Sequence, residues 1–144
     1  VVKLYQAGVN VPLVLGAAIE PLWNNLAYRG FICYESISGA NNFLTSIPNL
    51  LLDEQKRISF AVGNEAGKML QTGIMHLDLH LGNVLLDKDQ KVFLIDFDKS
   101  FEIKDNIEGC LLKLVKRWQK SVVKHNLSKE LIEQFSLGLH QSHE

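Results

Sequence analysis

The sequence predicts an α+β fold on three observations. Its first third holds two runs about a turn with Pro and paired Asn, the second run rich in aromatic and β-branched side chains; the period becomes helical at Asp53; and the last third is helical again after two short apolar runs. With 144 residues, 47% hydrophobic and 22% charged, and a formal net charge of −1, the chain can bury a core and has the balance of a globular protein. That balance excludes a general affinity for nucleic acid and leaves only local basic patches to consider. No repeat or low-complexity linker divides the sequence.

The elements follow in order. Residues 14–20 and 26–35 are predicted to pair as an antiparallel hairpin, because residues 21–25 between them carry Pro21 and two asparagines. The apolar stretch 11–19 is too short for a membrane span and is broken by Pro12 and Gly16. Residues 38–42 then end the β pattern. A helix is expected over 53–72, with Ile58, Val62, Ala66, Met69 and Leu70 on one stripe, Asp53 as N-cap and Gly73 just past the end. Gly63 and Gly67 cost this helix about 1 kcal/mol each relative to Ala, a cost that close approach of a neighbour would explain. Residues 84–86 and 92–95 read as two short buried strands joined by a turn at 87–90. In the last third, Ile107, Cys110, Leu111, Leu114, Val115, Trp118 and Val122 share a helix face, and a final helix is expected after Ser128. Cys33 and Cys110 form no paired motif and are expected to be buried thiols of a reducing compartment. The chain starts at Val1 in what reads as the middle of an element, so a fragment of a longer protein is expected.

The chemistry is concentrated in "HLDLHLGNVLLD", residues 76–87. In an extended segment, alternate side chains point the same way, so His76, Asp78 and His80 can face one metal ion, as in two-histidine, one-carboxylate iron sites. The wider spacing favours a second chemistry. Asp78 and Asn83 form D-x-x-x-x-N, and Asp96 follows Asn83 by 96 − 83 = 13 residues inside "LIDFD". Phosphoryl transfer uses such a set: one carboxylate orients or deprotonates the attacking hydroxyl, while an amide and a second carboxylate hold Mg²⁺ against phosphates.

"HLDLHLGN" with "LIDFD" resembles the catalytic loop and metal-binding motif of the protein-kinase-like superfamily. Leu77 stands in place of the usual arginine and Asp98 in place of the usual glycine, and there is no A-P-E segment, which argues against a protein kinase regulated through an activation loop. With "GVNVP", "YRGFICYESISGA", "KVFLIDFDKS" and "LLKLVKRWQKSVVK", the chain most resembles the lipopolysaccharide kinase family in its branch acting on 3-deoxy-D-manno-octulosonic acid (Kdo). The resemblance implies a protein-kinase-like fold, with residues 1–37 ending an N-terminal lobe and 38–144 forming a C-terminal catalytic lobe. It implies ATP and Mg²⁺ as cofactors, Asp78 as catalytic base, and Asn83 and Asp96 as metal ligands. Tyr34 takes the gatekeeper position, Glu35 and Ile37 meet the adenine through their backbone, and Leu85 forms its apolar floor. His76 is expected to brace the loop, while His80 either meets substrate or has no role. The implied acceptor is the sugar of a Kdo-lipid A precursor in the lipopolysaccharide inner core. Heptose, an aminoglycoside, choline or a protein Ser/Thr are alternative acceptors, and a non-catalytic pseudokinase is the non-enzymatic alternative. The glycine-rich loop and strand lysine of such kinases have no counterpart here, so the chain alone is expected to be inactive.

Lys113, Lys116, Arg117, Lys120 and Lys124 form a basic face on the long helix. A solvated face is one reading; the other is contact with an anionic membrane surface, which the resemblance favours through its implied place on the cytoplasmic side of a Gram-negative inner membrane. Nucleic acid is not expected as a partner.

Overall fold

The computed structural model describes residues 1–23, 26–103 and 107–142. It is a mixed α+β structure in which three small antiparallel sheets border a helical body. A short helix, α1 (Val2–Gln6), buries Leu4 and leads through Val9 and Val11, both in the core, to β1 (Val14–Leu22) and β2 (Ala27–Tyr34). These two strands pair as the expected hairpin, except that Pro21 and Leu22 belong to β1 opposite Tyr28 and Ala27. Proline is tolerated there because the ribbon has only two strands, leaving one edge of each free of ladder bonds. Asn24 and Asn25 lie outside the described residues.

The chain then forms β3 (Asn41–Asn42), α2 (Phe43–Ser46) and a 3₁₀ turn at Ile47–Asn49. Asn42 Oδ1 caps α2 by accepting from the Leu44 N–H at 3.0 Å. Helix α3 (Leu52–Gln71) has its N-cap two residues before the predicted one. Leu51 stands at the N-cap and Asp53 lies in the first turn; the Glu54 carboxylate reaches back to the Leu51 N–H at 2.8 Å. Leucine has no acceptor, so only the glutamate half of a capping box can form. Gly73 follows the helix at φ +76, in the left-handed region that favours glycine.

Next come β4 (Ile74–His76), a 3₁₀ turn at Leu81–Asn83, β5 (Val84–Leu86), β6 (Val92–Leu94) and β7 (Ser100–Glu102). Strand β5 is central between β3 and β6, while β4 pairs with β7. Helices α4 (Ile107–Lys124) and α5 (Glu130–Gln141) complete the body. Ser128 Oγ accepts from the Glu130 N–H at 3.3 Å, which places a serine at the start of α5 as its sequence suggests.

Helices α3 and α5 cross in close contact. A methyl on Gly63 would meet the Phe135 carbonyl and sit 2.9 Å from Leu139 N, and one on Gly138 would meet the Phe60 carbonyl and sit 2.9 Å from Asn64 N. The glycines therefore offset their helix cost by letting two backbones touch. Trp118 stacks on Phe135 at 4.8 Å and on Phe43 at 6.4 Å, and its Nε1–H donates to the Leu131 carbonyl at 3.3 Å. Cys110 is buried as expected, whereas Cys33 is exposed because neither face of the hairpin is covered.

Candidate active site

The site is assembled from the end of β4, the loop after it and the turn after β6. Alternation along 78–81 decides which side chains are available. Leu79 and Leu81 are fully buried, so Asp78 and His80 turn outward. The loop is pinned from α4, whose Ser121 Oγ accepts from the Leu81 N–H at 3.3 Å, and from β3, whose Asn42 Nδ2 donates to the Gly82 carbonyl at 2.6 Å.

His76 has no exposed surface and lies 4.8 Å from the Phe97 ring. Its Nε2 is 3.0 Å from the Ile95 carbonyl and its Nδ1 is 3.2 Å from the Asp78 nitrogen. A carbonyl only accepts and an amide N–H only donates, so the ring is neutral with its hydrogen on Nε2. Burial, the largest influence, pushes its pKa below the ordinary imidazole value, against the opposing pull of the Ile95 carbonyl and of Asp96 and Asp78. Both nitrogens are engaged, which overturns the metal-facing triad of His76, Asp78 and His80. His80 Nδ1 accepts from the Gly82 N–H at 3.0 Å, capping the 3₁₀ turn, a structural role that neither expectation for it included. Among the described residues no group of three or more His, Cys, Asp or Glu side chains forms a metal site.

Asn83 is 6% exposed and ties three segments together. Its Nδ2 donates to the Asp78 carbonyl at 3.0 Å, its N–H to the His80 carbonyl at 2.8 Å, and its own carbonyl accepts from the Ile95 N–H at 3.1 Å. Its Oδ1 has no hydrogen bond among the described residues and remains free to coordinate. The next residue after Ile95, Asp96, has φ +64, a conformation that costs an L residue about 1–2 kcal/mol. The carboxylate of Asp96 likewise has no hydrogen bond or ion pair among the described residues. Two hard oxygen donors on adjacent, mutually bonded segments fit a cation such as Mg²⁺, which takes few protein ligands and keeps its waters.

Asp78 carries the strongest ion pairing of the site. Its Oδ1 accepts from Arg117 Nε at 2.9 Å and Nη2 at 2.6 Å, and its Oδ2 from Lys99 Nζ at 3.2 Å. Arg117, the largest influence, holds the carboxyl below the usual carboxylate range against the opposing effect of burial, with Lys99 adding to its pull. Arg117 therefore leaves the predicted membrane-facing set: it is half-buried and turned toward Asp78, whereas Lys113, Lys116, Lys120 and Lys124 are exposed. The helical period explains the difference, since Arg117 lies on the edge shared by buried Leu114, Trp118 and Ser121. That spacing was readable in the sequence; the pairing of Arg117 and Lys99 with Asp78 was not.

A cleft of about 530 Å³ opens beside these residues, lined in part by Tyr34, Glu35, Ile37, Leu85, Asp96 and Phe97. Its volume lies in the range of small-molecule sites, roughly 300–1,000 Å³, and its walls are mostly apolar. The Glu35 N–H is bonded to the Leu13 carbonyl at 2.8 Å, but the Glu35 carbonyl and the Ile37 N–H have no hydrogen bond among the described residues. Of the residues singled out in the sequence, Tyr34, Glu35, Ile37, Leu85 and Asp96 thus share one cleft, and Asn83 joins Asp78 to its Asp96 end.

The model of the lipopolysaccharide kinase (Kdo/WaaP) family matches residues 1–136. The chain is 29% identical over 143 residues to a 3-deoxy-D-manno-octulosonic acid kinase of Vibrio cholerae serotype O1, covering 98% of this chain and 59% of that protein. It is 31% identical over 129 residues to the protein of that name in Vibrio parahaemolyticus serotype O3:K6, covering 86% and 51%. Against the one in Mannheimia succiniciproducens the identity is 33% over 108 residues, covering 73% and 44%. The chain thus spans about half the length of these relatives.

Proposed function

The chain belongs to the lipopolysaccharide kinase (Kdo/WaaP) family, and from that premise we propose that its protein transfers the γ-phosphate of ATP to a hydroxyl of Kdo in the lipopolysaccharide inner core. The observation that carries this reading is the continuity from Asp78 through Asn83 and Ile95 to Asp96 in the cleft wall. In this reading the fold is protein-kinase-like, residues 1–37 end an N-terminal lobe, and residues 38–144 are the catalytic lobe.

The residues divide the work by their chemistry. Leu85 and the hinge would hold the adenine, with the Ile37 N–H as donor and the Glu35 carbonyl as acceptor, neither of which has a hydrogen bond among the described residues. Asn83 Oδ1 and the Asp96 carboxylate would hold Mg²⁺, which neutralises charge on the phosphates when bound. Asp78 orients the acceptor hydroxyl and receives its proton as the acceptor O–P bond forms and the bond to the ADP oxygen breaks, the electron pair leaving with ADP. A carboxylate held ionised by two cations is a weak base, so orientation is the larger part of its contribution. His76 acts through the loop: its neutral ring joins the Asp78 amide to the Ile95 carbonyl and fixes the base relative to Asp96.

We further assign the exposed side of α4 to the membrane on the cytoplasmic face of a Gram-negative inner membrane. Lys113, Lys116, Lys120 and Lys124 are exposed there beside Leu112 and Val123, and each lysine near an anionic surface contributes about 1 kcal/mol. No helix among the described residues is long and apolar enough to cross a membrane.

The test is Mg²⁺-dependent transfer from ATP to Kdo-lipid A precursor by the full-length protein. Asp78→Ala and Asp96→Ala should each lower transfer by roughly 10²–10⁴-fold without unfolding the protein. Undiminished transfer by either variant overturns the assigned roles, and ATP binding without transfer to Kdo overturns the acceptor.

A further inference from the structure

Asp78 is contacted by two cations where one would neutralise it. Arg117 gives Nε and Nη2 to Oδ1, and Lys99 gives its ammonium to Oδ2. The trio carries one surplus positive charge, and Asp96, the next carboxylate along, lines the cleft. Donors are also in surplus. Guanidinium has five N–H groups and ammonium three, and Asp78 is the one hydrogen-bonding partner that either side chain has among the described residues. Lys99 keeps 70% of its side chain exposed, so its remaining hydrogens face open solvent beside the base.

Both cations also work against Asp78 as a base. A group meant only to accept a proton gains nothing from two partners that favour its ionised form. The arrangement is explained if the cations serve a second anion that arrives next to the attacking hydroxyl. We propose that Arg117 and Lys99 form an acceptor-recognition subsite that binds a carboxylate carried by the sugar, close to the hydroxyl that Asp78 orients. This rests on the sugar-acid kinase reading given above. Arg117 suits the task because its planar fork matches a carboxylate, and it is anchored on α4 next to buried Trp118 rather than on a free loop. Binding the acceptor here shares the guanidinium between two carboxylates, so recognition of the acid and release of Asp78 from its clamp occur together. Charge on the ATP γ-phosphate has the same attraction for a cation pair, and the experiment separates the two.

The full-length protein is compared with Arg117→Gln, Arg117→Lys and Lys99→Met on two acceptors, Kdo-lipid A precursor and its carboxyl-amidated analogue. Calorimetry of the free sugar acid and its amide without ATP runs in parallel. Wild type should favour the acid over the amide roughly tenfold to a hundredfold in kcat/KM, the scale of a charge-assisted hydrogen bond. Arg117→Gln should bring that ratio close to one through the acceptor KM, with the ATP KM unchanged, and Arg117→Lys should restore part of it. Lys99→Met, a change at an exposed side chain, should move the ratio in the same direction by a smaller factor. The proposal is overturned by a ratio that survives Arg117→Gln, by a rise confined to the ATP KM, or by a fall in kcat equal for both acceptors, which would make Arg117 a positioning residue alone. Calorimetry separates this from the reaction itself. Acid bound by wild type and lost in Arg117→Gln, with no phosphorylation of Kdo, would retain the subsite and overturn the proposed activity; acid and amide bound equally by wild type would overturn the subsite.

Discussion

Between His76 and Leu86 all side chains but Leu77 are buried or half-buried, and side-chain hydrogen bonds tie the loop to β3, α4 and the turn before Asp96. Along β1 and β2 no residue is buried. The hairpin has its backbone ladder and little else: Ile19 and Tyr28 are more than two-thirds exposed, and Phe31 and Ile32, which point to opposite faces, are both about half exposed. A two-stranded ribbon of this kind is marginal in water, whereas the loop is over-determined by its surroundings. The contrast teaches which candidate site residues this chain holds by itself. Asp78, Asn83 and Asp96 are set by its own core, while Glu35 and Ile37 hang from the less supported element.

The largest blow to that contrast falls on the platform beneath the loop. Gly138→Val forces a side chain into the Phe60 carbonyl and against Asn64 N, and α3 must move away from α5. The expected loss is about 3 kcal/mol, read from the urea midpoint, at the upper end of overpacking costs. A loss under about 0.5 kcal/mol would show that the two helices do not need their backbone contact.

His76 is the next largest. His76→Phe keeps the bulk and the ring contact but leaves the Ile95 carbonyl and the Asp78 N–H without their partner, a loss of about 2 kcal/mol. Its pH dependence sharpens the assignment. The folded pKa lies below the unfolded value, so the unfolded chain takes up the proton first. Stability is complete above about pH 6.5 and falls as pH drops below it, with a slope of at most about 1.4 kcal/mol per pH unit from this side chain. His76→Phe should flatten the slope between pH 6.5 and 5.5; an unchanged slope would assign it to other histidines, such as His80, whose pKa is also lowered by burial.

Much of this architecture was legible before the structure. The stripe of α3 and the apolar face of α4 are strong 3.6-residue patterns, and β5 and β6 are bracketed by a polar turn, so local signals and tertiary packing agreed. The elements that escaped, α1, β3, α2, β4 and β7, have five residues or fewer, and the strands among them owe their form to long-range partners such as Ser100 opposite His76. In the site, the order Asp78, Asn83, Asp96 stood out because backbone spacing carries it. Arg117 and Lys99 did not, because a cation's choice between solvent and a carboxylate 39 or 21 residues away is made by the fold. Asn42 was missed for a different reason. It sits in a run of small and polar residues that reads as a break, although asparagine directly before the apolar Phe43 and Leu44 is itself a helix-start signal. Asn42→Ala should cost about 1 kcal/mol for the lost cap and loosen residues 80–83, seen as faster amide exchange at Asn83; unchanged exchange there would mean that the Gly82 contact does not hold the loop.

The smallest effect is expected in the hairpin, and its size depends on what surrounds it. Ile32→Ser in this 144-residue chain removes a side chain that is 55% exposed, so the change should stay within about 0.5 kcal/mol. The hairpin amides should exchange well before those of Asn83 and Ile95. In a protein as long as the Vibrio cholerae relative the prediction differs. Apolar residues on both faces of one ribbon suit strands that are covered on both sides, and the Vibrio cholerae relative is longer than the stretch this chain matches, 59% of its length. Ile32→Ser should there cost about 2 kcal/mol, the scale of burying one branched aliphatic side chain. Equal tolerance in both proteins would mean that the hairpin faces are bare in the native protein, and Glu35 and Ile37 would then hold a nucleotide only after it has ordered them.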